Sequence, residues 1–122
     1  MPESCRRRCH CWGGYINLDP AIGAEIKKVR PAIIVNDNSL GKLPLKIIVP
    51  VTEWKEKYEI AQWMIKIESD TENNLAKTSA ADCFQVRSVS QERFVKRIGQ
   101  VSEIYMDDIR KGLSKVLSIN AE

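Results

Sequence analysis

Short apolar runs separated by turn formers fill most of the chain. Residues 14–18 (GYINL) are bounded by Gly13-Gly14 and Asp19-Pro20 and predict a first strand, whose start the two glycines weaken. Ala32-Ile33-Ile34-Val35 is a β-branched run, and residues 45–51 (LKIIVPV) are another. Runs of this length, flanked by Gly, Pro, Asn and Asp, read as buried strands rather than helices. Pro31 loses no ladder bond at a strand's first residue and pushes Arg30 toward an extended backbone, while Thr52 closes the next strand. Residues 36–44 between them are rich in turn and cap formers.

Further on, residues 62–68 (QWMIKIE) alternate Trp63, Ile65 and Ile67, the pattern of a half-buried strand, and a polar irregular loop follows over 69–78. Residues 80–89 (AADCFQVRSV) predict one more strand, with Cys83 a small buried apolar residue. A turn over 90–93 leads to a last strand over 94–101, where Gly99 marks a bulge. Ser102 then caps a helix with Glu103 in its first turn. Tyr105, Ile109, Leu113, Val116 and Leu117 fall on one face of that helix, and Gly112 costs it about 1 kcal/mol relative to Ala. Five or more short strands and one helix make the fold mainly β: a small, mostly antiparallel barrel with a C-terminal helical cap.

Composition adds bounds. At 122 residues the chain is long enough for one core, and 43% hydrophobic with 29% charged residues is ordinary for a soluble globular domain. No apolar run approaches the ~20 residues needed to cross a membrane, and no apolar segment follows the N-terminal arginines as a secretory signal requires. A cytoplasmic, reducing setting is therefore expected. Net charge is +3, of which Arg6, Arg7 and Arg8 against Glu3 hold +2 in residues 1–12. The remainder, residues 13–122, reads as one domain that binds a polyanion only through a local cluster. Cys5, Cys9, His10 and Cys11 crowd into one group, with only Cys83 at a distance. A structural zinc site pairs two separated ligand groups, so no metal is expected and residues 1–12 read as a disordered basic tail with reduced thiols.

The domain's chemistry is narrowed by what it lacks. The chain's single histidine is His10, in the tail. Paired-histidine RNA cleavage and Ser or Cys triads are thus excluded from residues 13–122, and no Gly-rich phosphate loop or acidic metal motif is present. Arg, Thr, Glu and Lys remain. RNA brings its own nucleophile in the 2′-hydroxyl, so the protein need only orient it, move a proton and stabilise a charged phosphorane. An always-charged guanidinium fork and a hydroxyl donor suit that task.

The ordered set Asn17-Leu18-Asp19-Pro20, Gly23-Ala24-Glu25, Arg30-Pro31, Pro50-Val51-Thr52 and Gln85-Val86-Arg87-Ser88-Val89 resembles the MazF/PemK family of toxin endoribonucleases. The resemblance spans about residues 13–117. It implies an SH3-like barrel and metal-independent, sequence-selective cleavage of single-stranded mRNA, leaving a cyclic phosphate and a 5′-hydroxyl, with no cofactor. It also implies a homodimer and a cognate antitoxin as partner. By motif, Arg30 and Thr52 are the catalytic pair and Glu25 matches a proposed base. Lys27 and Lys28 on the same loop, with Trp54, Gln85 and Arg87, are the RNA-binding candidates. For Trp54 the sequence slightly favours a seal on the barrel rim, and Gln85 and Arg87 serve equally as ordinary surface residues. PemK-like members carry an R-C-D-Q arrangement where this chain has Asp82-Cys83-Phe84-Gln85, so that Arg and that Asp are absent here. The alternative function is a non-catalytic toxin of the same fold that poisons DNA gyrase by binding it. Retention of Arg30 and Thr52 favours cleavage.

Overall fold

The computed structural model describes residues 12–18, 29–37 and 43–119. Among the described residues, seven strands and one α-helix follow in order: β1 (Trp12–Asn17), β2 (Val29–Ile34), β3 (Leu45–Glu53), β4 (Met64–Ile67), β5 (Ser79–Asp82), β6 (Arg87–Ser90), β7 (Phe94–Gln100) and α1 (Glu103–Leu117). The sheet runs β4-β5-β3-β2-β1-β7, with β6 also on β3, and its pairings are antiparallel. No helix among the described residues is long and apolar enough to cross a membrane.

β3 is the hub. One edge pairs with β2, and the other is shared, Leu45 to Ile48 against β6 and Val51 to Glu53 against β5. Pro50 has no N–H and lies in the gap between those two ladders, where a strand tolerates proline. Strand alternation sends Ile33, Val49 and Val51 to one face and Ala32, Ile34 and Ile48 to the other. The first face meets Ile67, Ala81, Cys83, Val101 and, from α1, Met106 and Ile109. The second forms a smaller cluster with Ile16, Leu18, Val89 and Phe94.

The antiparallel barrel expected from sequence is present as a curled sheet that does not close by strand pairing. Its edges, β4 and β7, are joined by the turn between β4 and β5. Gln100 N donates to Glu72 O at 2.9 Å, and Asn74 Nδ2 donates to Ile98 O at 2.8 Å. This polar segment, expected to be irregular, is held in shape by its own side chains. Asp70 Oδ1 accepts from the Glu72 and Asn73 amides, and Asn73 Oδ1 accepts from those of Asp70 and Leu75.

The strand expected over residues 80–89 is instead two strands, β5 and β6, separated by a 3-10 turn over Cys83–Gln85. The Asp82 carboxylate caps that turn by accepting from Phe84 N at 3.1 Å, a local bond that competes with the ladder. Trp63 lies outside β4 and is 40% exposed. Ser102 Oγ accepts from Tyr105 N and starts α1 where expected. The buried stripe of α1 differs from expectation, because Leu117 is 55% exposed whereas Met106 and Gly112, left out of that stripe, are buried. The helix seats on the 3-10 turn, and a Cβ at Gly112 would stand 2.9 Å from Cys83 Sγ.

Candidate active site

β2 and β3 pair Ala32 with Pro50, Ile33 with Val49 and Ile34 with Ile48. Continuing that register two places sets Arg30 level with Thr52, at the same end of two adjacent strands. Across the sheet, Ile16 of β1 faces Arg30, Thr52 faces Ala80 of β5, and Ala80 faces Lys66 of β4. Opposed residues in antiparallel strands project to one face. Arg30, Thr52 and Lys66 therefore rise in one row on the face turned away from α1, with only the Ala80 methyl between Thr52 and Lys66. Arg30 and Thr52 are half-buried and Lys66 is exposed.

Trp54 extends this arrangement past the end of β3. Its N–H donates to Thr78 O at 3.2 Å, which keeps the β3/β5 register and the alternation. Its ring meets Tyr58 edge to face with centroids 5.8 Å apart, and Lys66 Nζ lies 5.3 Å above it. Lys57 Nζ lies 5.9 Å from the Tyr58 centroid. Tyr58 belongs to an exposed 3-10 turn over Glu56–Ile60.

Asp82 occupies the next position on the same face, opposite Met64. It is 7% exposed. Gln85 Nε2 donates to its Oδ2 at 3.0 Å. Burial raises its pKa from the usual carboxylate value, against the pull of the hydrogen bonds from Phe84 and Gln85. Burial, with Asp82 adding to it, pushes the neighbouring Cys83 thiol up to about 12, so it is no nucleophile at neutral pH. Among the described residues no three His, Cys, Asp or Glu side chains converge as a metal site would require.

The structure thus sets Arg30, Thr52 and Trp54 on one face. Arg87 joins that face at the far end of β3, opposite Ile48 and half-buried. The Gln85 amide is turned onto Asp82. Glu25, Lys27 and Lys28 lie outside the described residues. Lys66 and Asp82 belong to the site face and escape sequence reasoning. Lys66 looks like the solvent side of an alternating strand, and its place in the row depends on a β4-β5-β3 pairing that no local pattern states.

Three kinds of comparison converge on one relationship. The profile of the PemK-like, MazF-like toxins of type II toxin–antitoxin systems matches residues 14–117. Endoribonuclease MazF9 of Mycobacterium tuberculosis is 29% identical over 119 residues, covering 93% of this chain and 97% of the relative. Among solved structures, MazF from Deinococcus radiodurans superposes with a TM-score of 0.73 at 18% identity, over 89% of this chain and 94% of its own. Toxin MazF-mt6 of Mycobacterium tuberculosis gives 0.72 at 13% identity, over 90% and 99%. A mycobacterial endoribonuclease in complex with its cognate antitoxin gives 0.71 at 12% identity, over 93% and 97%. The matched span runs from β1 to the last residue of α1, and the chain belongs to the PemK-like, MazF-like toxins of type II toxin–antitoxin systems.

Proposed function

We propose that the protein is an endoribonuclease toxin that cuts single-stranded mRNA at preferred sequences without a metal. The observation that carries this reading is the placing of Arg30 level with Thr52 on one sheet face. In the reaction the substrate's 2′-oxygen attacks the adjacent phosphorus and the bond to the 5′-oxygen breaks, giving a cyclic phosphate and a 5′-hydroxyl. The 2′-hydroxyl proton leaves to a base, the role assigned to Glu25, and the departing 5′-oxygen takes a proton from Arg30, which recovers one from solvent. The Arg30 guanidinium stabilises the charge on the phosphorane, and the Thr52 hydroxyl donates to a phosphate oxygen. Lys27, Lys28, Gln85 and Arg87 hold the flanking RNA.

The setting is the cytoplasm, and an antitoxin restrains the enzyme. The mycobacterial endoribonuclease solved with its cognate antitoxin supports that partner. A homodimer fits the exposed apolar side chains of Ile60, Phe84 and Ile104.

The test is incubation of purified protein with a long single-stranded RNA in EDTA, with primer extension to map ends. Discrete cuts are expected. In Arg30→Ala they fall by about 10²- to 10³-fold, the usual loss for one preorganised charge donor, while the thermal midpoint holds. Wild-type turnover in that variant rules out the role of Arg30. A folded wild type that leaves several RNAs intact returns the reading to a binding toxin.

A further inference from the structure

Trp54 has surroundings unlike those of a core residue. It belongs to neither apolar cluster, and its ring is met by Tyr58 and the Lys66 ammonium. The backbone bond to Thr78 holds it in line with Thr52, two residues before it on the same face. A tryptophan that sealed the barrel would contact the aliphatic core. This one is fixed at its base and covered above by a flexible cation.

Lys66 is free to change partners. Its carboxylate contact, Glu68 Oε2, is 3.9 Å away with half of the lysine side chain exposed, a geometry that contributes little. Glu53, next to Trp54, pairs with Lys77 at 3.4 Å, and Glu56 and Glu59 lie on the turn that carries Tyr58. Two ammoniums thus lie over an aromatic pair next to the row that holds Arg30 and Thr52. Single-stranded RNA is commonly held in this way, by bases stacked on aromatic rings and phosphates met by nearby cations.

We propose that Trp54, braced by Tyr58, stacks the base of a nucleotide flanking the cleaved bond, and that Lys66 moves from the ring onto that nucleotide's phosphate. The proposal rests on the endoribonuclease reading above. It makes Trp54 and Lys66 binding residues rather than catalytic ones. On binding, the base takes the place over the indole that the ammonium holds in the free protein, and the lysine stem is long enough to follow the backbone.

The probe is a short single-stranded RNA spanning a cut mapped for the wild type, with a 2′-methoxy group at the cleaved nucleotide so that it binds but does not react. Fluorescence anisotropy should show binding about 5- to 150-fold weaker in Trp54→Ala and largely restored in Trp54→Phe. Cleavage of the unmodified RNA by Trp54→Ala should show a raised KM while kcat at saturation stays within about threefold of the wild type. Lys66→Gln, at an exposed position that folding tolerates, should lower the slope of log affinity against log salt by about 0.7. A folded Trp54→Ala with wild-type affinity, or an unchanged salt slope in Lys66→Gln, overturns the proposal. Failure of the endoribonuclease reading looks different, because the wild type itself then leaves the long RNA uncut and no cut can be mapped, an outcome that overturns this proposal as well.

Discussion

Asp82 joins the site face and the fold in one side chain. Its carboxylate caps the 3-10 turn through Phe84 N and accepts from Gln85, yet it is almost fully buried. Burial raises its pKa above the value of 3.8 that it has when exposed. The folded protein therefore holds this proton more tightly than the unfolded chain does. The stability so gained is complete in acid and is lost as pH rises from about 3.8 through the folded value. Asp82→Asn keeps a cap oxygen and removes the charge, and the Gln85 amide can turn to present its own oxygen. Its stability relative to wild type should therefore rise between pH 4 and pH 7, measured by urea unfolding at each pH, and match or exceed the wild type at pH 7. Asp82→Ala, which removes the cap, should cost about 0.5–2 kcal/mol. A stability difference between Asp82→Asn and wild type that does not vary with pH would contradict the burial argument.

At the scale of elements, α1 and the 3-10 turn meet at Gly112. Helix propensity alone makes Gly112→Ala favourable by about 1 kcal/mol. The contact opposes it, since a Cβ there would lie 2.9 Å from Cys83 Sγ and 3.3 Å from Ile65 Cδ1. Cys83 is itself buried and bonded to Ile109 O, so it has little room to yield. Gly112→Ala should lower stability by about 1–2 kcal/mol. Adding Cys83→Ala should recover at least about 0.5 kcal/mol beyond additivity in a double-mutant cycle. A Gly112→Ala protein stabilised by the full propensity gain would show that the contact has no cost. The same position shows where sequence is readable. Ser102 and Glu103 mark the helix start because capping is decided within one turn of chain. Gly112 reads as a weak point because its reason lies in another element. The break after Asp82 has the same origin: the stretch over 80–89 has no Gly or Pro to interrupt it, and Asp82 offers a cap that local chemistry permits but does not require. Arg30 and Thr52 are legible through their ordered motifs, whereas Lys66 enters the row only once the strand order is known.

The whole molecule depends on a seam. β4 and β7 are edge strands, and unpaired edges invite association or fraying unless something covers them. Here the turn after β4 reaches β7. The β1/β7 register passes from Gly13 opposite Gly99 to Gly14 opposite Arg97, which leaves Ile98 as the extra residue of a bulge. The freed Ile98 carbonyl takes the Asn74 amide, and the next residue but one, Gln100, bonds to Glu72. Gly99 lies between these two bonds. A Cβ there would come within 2.3 Å of Glu72 O and 3.0 Å of Asn73 C and O, all backbone atoms of a turn already locked by Asp70 and Asn73. The turn has no easy way to yield, so Gly99→Ala must push it off β7. Both seam bonds should then be lost, at about 2 kcal/mol or more, with the Gln100 amide exchanging at least about tenfold faster by hydrogen-exchange NMR. Asn74→Gly, which removes one of the two bonds and keeps the left-handed backbone that Asn74 holds at φ 54°, should cost about 1 kcal/mol and leave Gln100 protected. The row holding Arg30 and Thr52 runs from β1 to β4, so its curvature is set between the two edges this turn joins. Gly99→Ala should therefore also cut RNA more slowly at temperatures where it is still folded. Wild-type stability with a protected Gln100 amide in Gly99→Ala would show that the sheet stays curled without the seam.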